Sequence, residues 1–477
     1  MPLSMMDGMG SDLPEISMER PKDGLPFDIS GVDLTQPPGF TGELARWIGD
    51  NSMRPRKHLA VAGALMAIAN MGGLRYTDDK GLTTTNLFCF CVAGSGTGKE
   101  NVFSCVLQAM EHAGMAEAFY GDIKSSKEIV ENFIQHQAAV YCIDEVADSF
   151  DKWEGNSKNT PSYLSDVMSV LMSAYSKANG MLVLKGDRKR ELQSSIAKEL
   201  ASVTSAEANN EATSWQLSRK ASLERLLEKA RLGVEKPFVS IIGFTTPVKF
   251  DKLVTFDNAT SGFIGRSLIF NERETAPRMK ENFAPVPMSE PMANTIMQIA
   301  QGGDFDTFST RVEYYGERSA IPTTADAADM LALARKWYDD RAEDHKSVTG
   351  LEPLWLRALE LLGKVSLTLA IPEGLRTAEH VRWAFALVRR DIEEKLRLVV
   401  GNEQEKRDPT RAMTARIMNV CAEAESQGVI VNRLSRTYRK DDVLRQLEKM
   451  VDRGHLVMEE RKHARTGKAV LFYTSVG

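Results

Sequence analysis

The chain has 477 residues, too many for one ordinary hydrophobic core, so two or three domains are expected. It is 43% hydrophobic and 26% charged, and no apolar run approaches the roughly 20 residues a bilayer crossing needs, so no membrane partner is expected. The formal net charge of −5 gives no support to wholesale coating of nucleic acid, yet residues 405–477 carry 15 Lys and Arg against 10 Asp and Glu, a local +5 suited to a polyanion.

Residues 1–38 are rich in Met, Pro, Gly and Asp and read as a flexible N-terminal arm, not a signal peptide. Residues 39–85 form an N-terminal helical segment: Leu44, Trp47 and Ile48, then Leu59, Val61, Leu65 and Ile68, fall at helical spacing. Residues 86–92 are a short apolar strand, and helical period resumes over 100–113 through Val102, Val106 and Met110. Residues 138–143 and 238–244 are the second and third buried strands. Strands separated by helices predict an α/β core over 86–275, a mainly parallel sheet with helices on both faces.

Between the second and third strands the chain reads as helical over 163–177 and 191–231. Residues 181–192 are expected to form a basic-tipped β-hairpin around Lys185-Gly186-Asp187. Pro and Gly punctuate residues 276–324, which read as a linker; residues 325–404 are helical, and 405–477 predict helices followed by a two-stranded wing, a winged-helix module. The cysteines at 89, 91, 105, 142 and 421 lack zinc-site spacing, so reduced thiols and a cytoplasmic location are expected. The scattered histidines offer no metal spacing either.

Two motifs carry chemistry. In Gly94-Ser95-Gly96-Thr97-Gly98-Lys99-Glu100 the glycines let successive backbone N–H groups turn toward phosphate oxygens, and Lys99 would pair with the β- and γ-phosphates of ATP. Ala93 replaces the first glycine of the usual Walker A loop, and Glu100 stands where Ser or Thr usually holds Mg²⁺. Alone the loop reads equally as a tight surface turn; a preceding strand and a following helix favour the phosphate reading. The second motif, Val140-Tyr141-Cys142-Ile143-Asp144-Glu145, ends an apolar strand in two carboxylates, as a Walker B strand does. Asp144 would hold Mg²⁺ and Glu145 would polarise the attacking water. Solvated acids at a strand end are the bland alternative, which the pairing of the two motifs in this order disfavours.

With Ile242-Gly243-Phe244-Thr245-Thr246-Pro247 and Gly262-Phe263-Ile264-Gly265-Arg266 added, residues 39–400 resemble the helicase-type ATPase domain of phage and prophage replication proteins. More distantly they resemble the AAA+ core of minichromosome-maintenance helicases. The resemblance implies an AAA+-like P-loop core whose helical lid is residues 325–404. It implies a sensor role for Thr246, with Thr245 as competitor, an arginine finger at Arg266 and a second sensor arginine at Arg357, for which a plain surface-helix arginine is the alternative. An acidic residue after the loop lysine is familiar in that family, so Glu100 joins Asp144 as a candidate Mg²⁺ ligand. It further implies a homo-oligomer, a hexameric ring, with Lys185, Arg188, Lys189 and Arg190 gripping single-stranded DNA in the channel; a solvated charge run is the plain alternative. The tail basics Arg433, Arg436, Arg439, Lys440, Arg461, Lys462, Arg465 and Lys468 suit duplex DNA or a protein contact.

The expected function is therefore an ATP-driven DNA helicase or translocase of phage-type replication, working in the bacterial host cytoplasm with a separate primase or loader. The rivals are a replication initiator or loader, a packaging-type ATPase, and a non-hydrolysing P-loop scaffold. A packaging enzyme needs a downstream cluster of nuclease acids, which the sequence lacks, and a binding-only site has no use for Glu145.

Overall fold

A computed structural model describes residues 24–96, 98–153, 164, 166–209, 213–272, 277–302, 311–346, 350–407, 409–435, 437–462 and 469–475. The chain divides into two compact units, Met1–Arg397 and Leu398–Gly477.

The first unit is α/β, built on a five-stranded parallel sheet. Its strands lie side by side in the order Phe119–Tyr120, Ala138–Ile143, Phe238–Thr245, Phe88–Ala93, Ser267–Glu272. Every residue of Phe88–Ala93, Ala138–Ile143 and Phe238–Thr245 is buried, as expected of parallel strands covered on both faces. Alternate side chains of Phe88–Ala93 point to opposite layers. Phe88 and Phe90 stack among Tyr175, Phe250 and Phe263, while the small Cys89, Cys91 and Ala93 join the other core. There they meet the helix Lys57–Gly72, whose residues from Leu59 to Gly72 are all buried. A helix apolar on all sides belongs inside a protein, and this one is wrapped by helices Gly39–Asp50, Lys99–His112, Glu290–Gln301 and Glu352–Ala370.

The stretches read as arm, linker and lid all pack into this unit. Phe27 rests on Phe385 with ring centroids 4.8 Å apart, and Trp383 Nε1 donates to the Asp33 carbonyl at 3.0 Å; residues 1–23 of the expected arm lie outside the described residues. Within 276–324, Ser319–Ile321 pairs in parallel with Tyr76–Asp78, and the Val286 carbonyl accepts from Trp47 Nε1 at 2.9 Å. Pro and Gly there punctuate turns on a packed surface and do not mark a domain boundary. The outer edge of strand Ser267–Glu272 is covered by helix Ala378–Arg407: Asp391 accepts from the Ile269 N–H at 2.8 Å, and Lys395 donates to Asp391 and to the Ser267 carbonyl. Both side chains are buried, so an exposed strand edge becomes a satisfied internal one.

The expected β-hairpin at 181–192 is not formed. Met181–Leu182 pairs antiparallel with the distant Val234–Glu235, and a 23-residue helix, Gly186–Ala208, begins where the turn was expected. It packs against Ser214–Leu232 as an antiparallel helical hairpin standing on that two-residue stem. Helix formers dominate from Arg188 onward, Asp187 lies in the favourable first turn, and Arg188 pairs with Glu191 at helical spacing. A Thr213–Gln216 capping box starts the returning helix.

The second unit has its own core, including Ile417, Cys421, Ile430, Leu434, Val443, Leu447 and Tyr473. Helices Pro409–Val420, Gln427–Leu434 and Lys440–Asp452 pack with an antiparallel sheet ordered Glu425–Ser426, Ala469–Ser475, Leu456–Lys462. Among the described residues no helix is long and apolar enough to cross a membrane.

Candidate nucleotide site

The glycine loop leaves strand Phe88–Ala93 and enters helix Lys99–His112. Gly96 and Gly98 have φ of 67° and 89°, the left-handed region that glycine enters at least cost. A Cβ on Gly98 would stand 3.2 Å from the Arg54 carbonyl oxygen, so segment 52–54 backs the loop closely. The helix has no side-chain cap at its N-terminus, leaving the first-turn N–H groups and the helix dipole facing the loop. Lys99 is half-buried and Glu100 exposed; Thr97 lies outside the described residues.

Sheet register brings the other candidates to the same edge. Val92 pairs with Thr245 and Ile143 with Gly243, so Asp144, Glu145 and Thr246 leave the sheet where the loop does. The strand carrying Thr245 lies between the loop strand and the acidic strand, two strand spacings or about 10 Å apart. That gap is wide enough for a phosphate chain with a cation. Asp144 is exposed and accepts from the Glu145 N–H at 3.0 Å. Glu145 adopts φ 52°, an uncommon conformation for a residue with a side chain, as the chain turns sharply into helix Val146–Trp153. Val146 is pressed so tightly against the sheet that a Cβ on Gly243 would lie 2.6 Å from its Cγ1.

The hydroxyls of Thr245 and Thr246 are both buried, and neither has a hydrogen-bond partner among the described residues. Buried polar atoms of this kind are normally satisfied, so two of them at one sheet edge fit a site that receives a polar ligand. The donor set fits ATP with Mg²⁺: N–H groups and a lysine for phosphate, and carboxylates for a hard cation. Among the described residues no three acidic, His or Cys groups cluster as a protein-only metal site.

Lys249, which the sequence reading passed over, enters this site from helix Pro247–Leu253. Its Nζ donates to Glu145 Oε2 at 3.0 Å and to Asp148 Oδ2 at 2.7 Å. Those two carboxylates, Asp148 first, raise the lysine pKa above its ordinary value. The available signal was positional: Lys249 follows Thr246 by three residues at a helix start.

Arg266 and Arg357 lie elsewhere. Ser267 pairs with Phe88, the first residue of the loop strand, so Arg266 sits at the amino edge of the sheet, a six-residue strand or about 20 Å from the loop. Arg357 joins it there, and both guanidiniums donate to the Gly262 carbonyl. Burial, with the Arg266 charge next, lowers the Arg357 pKa. Tyr175 presents its ring to Arg266 at 5.9 Å and to Lys364 Nζ at 4.6 Å. Lys364 also donates to the Thr84 carbonyl at 3.2 Å and to Asn86, and burial pulls its pKa down to about 8.

The four basic residues of the expected hairpin start the helix Gly186–Ala208 or precede it. Lys185 pairs with Asp166 at 2.7 Å, Arg188 with Glu131 and Glu191, and Arg190 with Asp187. Arg188 is only 11% exposed, whereas Lys185 and Arg190 remain largely in solvent. In the second unit Arg433 pairs with Glu425 at 3.3 Å and Arg461 with Glu459 at 2.7 Å; Arg436, Arg465 and Lys468 lie outside the described residues.

No protein-family model matches the chain, and comparison with curated proteins gives no match.

Proposed function

We propose that the protein is an oligomeric P-loop ATPase that hydrolyses ATP between subunits and moves on single-stranded DNA, as helicase-type ATPases of phage replication do. The observation that carries this reading is the division of the candidate groups between two edges of one parallel sheet. Lys99, Asp144, Glu145 and Thr246 gather at the carboxyl edge, while Arg266 and Arg357 gather at the amino edge. Arginines so far from the loop cannot reach their own subunit's nucleotide, but they suit the phosphates of a neighbour's. A ring, the expected hexamer, repeats that pairing without leaving a site incomplete.

The work of each group follows from its chemistry. The loop N–H groups and Lys99 hold the phosphates, and the uncapped helix end adds its dipole. Asp144 and Glu100 would hold Mg²⁺, which would supply positive charge against the phosphates. Glu145 takes a proton from the attacking water, whose oxygen bonds to the γ-phosphorus while the bond to the ADP oxygen breaks. The unsatisfied Thr246 hydroxyl, or that of Thr245, orients this water.

In chain order the helical hairpin falls between the acidic strand and the threonine strand, a connection that would let it follow the state of the site and meet DNA with Lys185 and Lys189. The order helix, strand, helix, helix, strand, strand of the second unit supports a winged helix for DNA or protein contact. Priming or loading falls to a separate protein.

The test is ATP hydrolysis by the wild type and Glu145→Gln, with and without single-stranded DNA. DNA-stimulated turnover abolished in the variant supports the motor. Nucleotide binding without turnover by a folded, assembled protein overturns it in favour of a scaffold.

A further inference from the structure

Glu145, the group assigned to activate water, does not face the glycine loop unencumbered. Its Oε2 accepts from Lys249 Nζ at 3.0 Å, and the same ammonium donates to Asp148 Oδ2 at 2.7 Å. The three residues come from three places: the strained turn at Glu145, the first turn of helix Val146–Trp153, and helix Pro247–Leu253, which Thr246 begins. A carboxylate oxygen engaged by a lysine ammonium is held in place, because turning toward another partner requires giving up a charge-assisted hydrogen bond.

We propose that Lys249 is a positioning residue that holds Glu145 back from the attacking water, and that Asp148 is the second acceptor onto which Lys249 transfers when Glu145 is released. The inference rests on the ATPase reading above and adds residues that reading does not require. Asp148 lowers the cost of release, since the ammonium keeps one carboxylate partner throughout. Proximity to Thr246 gives the release a trigger: helix Pro247–Leu253 starts at the residue that meets the nucleotide, so a shift at Thr246 moves Lys249 with it. All three side chains are partly open to solvent, at 39% for Lys249, 40% for Glu145 and 48% for Asp148, so the restraint is weak enough to be reversed in each cycle.

The test is steady-state ATP hydrolysis and binding of a fluorescent ATP analogue by four full-length variants: Lys249→Met, Lys249→Arg, Asp148→Asn and the double variant Glu145→Gln/Lys249→Met. An exposed ion pair of this kind corresponds to a change of about two- to fivefold. Lys249→Met is expected to raise kcat without DNA by that factor, leaving KM and analogue affinity unchanged. Lys249→Arg, which keeps the cation, falls between it and the wild type. Asp148→Asn lowers kcat by a similar factor, because Lys249 then has only Glu145 to bind, and the double variant loses the gain. Circular dichroism confirms that each variant is folded.

Hydrolysis by the wild type with Lys249→Met unchanged or slower overturns this inference and leaves the ATPase reading standing. A slower Lys249→Met would make the lysine a required cation instead of a restraint. A wild type that binds the analogue without hydrolysing ATP overturns both.

Discussion

Arg266 and Arg357 donate to the same acceptor, the carbonyl oxygen of Gly262, although 91 positions separate them in the chain. Two like charges are held side by side, with the ring of Tyr175 against Arg266 and Arg357 half-buried. The Glu360 carboxylate offsets part of the cost of that pair at Arg357, and under the proposed function a nucleotide phosphate from a neighbouring subunit would offset more.

Under the proposed function Arg266 would be dispensable to its own subunit's nucleotide and necessary to a neighbour's. Arg266→Ala is expected to bind ATP normally and to lose about three orders of magnitude in turnover. Mixing it with Glu145→Gln, itself inactive, should restore part of the activity, because some interfaces then join an intact Arg266 to an intact Glu145. Turnover of the mixture against each variant alone is the measurement; no recovery would place the arginine outside the site.

Ion pairing divides the basic residues of the helical hairpin into two kinds. Arg188, largely buried between Glu131 and Glu191, should act on stability, and Arg188→Ala should cost about 1–2 kcal/mol in thermal or denaturant unfolding. Lys185 is exposed and Lys189 half-exposed. Lys185→Ala/Lys189→Ala should leave stability nearly unchanged and reduce the slope of log affinity for single-stranded DNA against log salt by about 1.4, two phosphate contacts' worth. An unchanged slope would assign DNA contact to another surface.

Lys364 gives the amino edge a pH signature. Burial lowers its pKa from 10.5 to about 8, with Glu360 opposing the shift and Arg318 and Arg266 adding to it. Below about pH 8 the ammonium is charged in both folded and unfolded chains, and the cost of burying it is fully present. Between 8 and 10.5 the unfolded chain keeps a proton that the folded chain releases, so the folded state gains with rising pH. The stability of the wild type relative to Lys364→Met should therefore rise by about 1 kcal/mol per pH unit across that window. Urea unfolding of the pair at pH 7, 8 and 9.5 measures it, and a constant difference would show that the lysine keeps its ordinary pKa.

Much of the candidate site is legible residue by residue. The apolar runs at 88–93, 138–143 and 238–245 are strands because each is short, continuous and bounded by turn chemistry. The glycines of 94–98 announce a loop with left-handed backbone, and Asp144-Glu145 announces a charged strand end. Residues 181–192 suggest a hairpin but start a helix, because a Gly-Asp pair after a short β-tolerant run carries the same local signal at a turn and at a helix start. The strand partner of Met181–Leu182 lay some fifty residues on, beyond any local pattern.

Local sequence thus determined where the chain is apolar, where it turns and which chemistry each segment carries, since these depend on neighbours within a few residues. Tertiary structure alone decided the lateral order of the strands, the insertion of Phe238–Thr245 between loop and acids, the contact of Lys249 with Glu145, and the placing of Arg266 and Arg357 at the opposite edge. Those outcomes depend on which buried surfaces fit one another across the whole core. Hydrophobic periodicity records that a residue is buried but not against what.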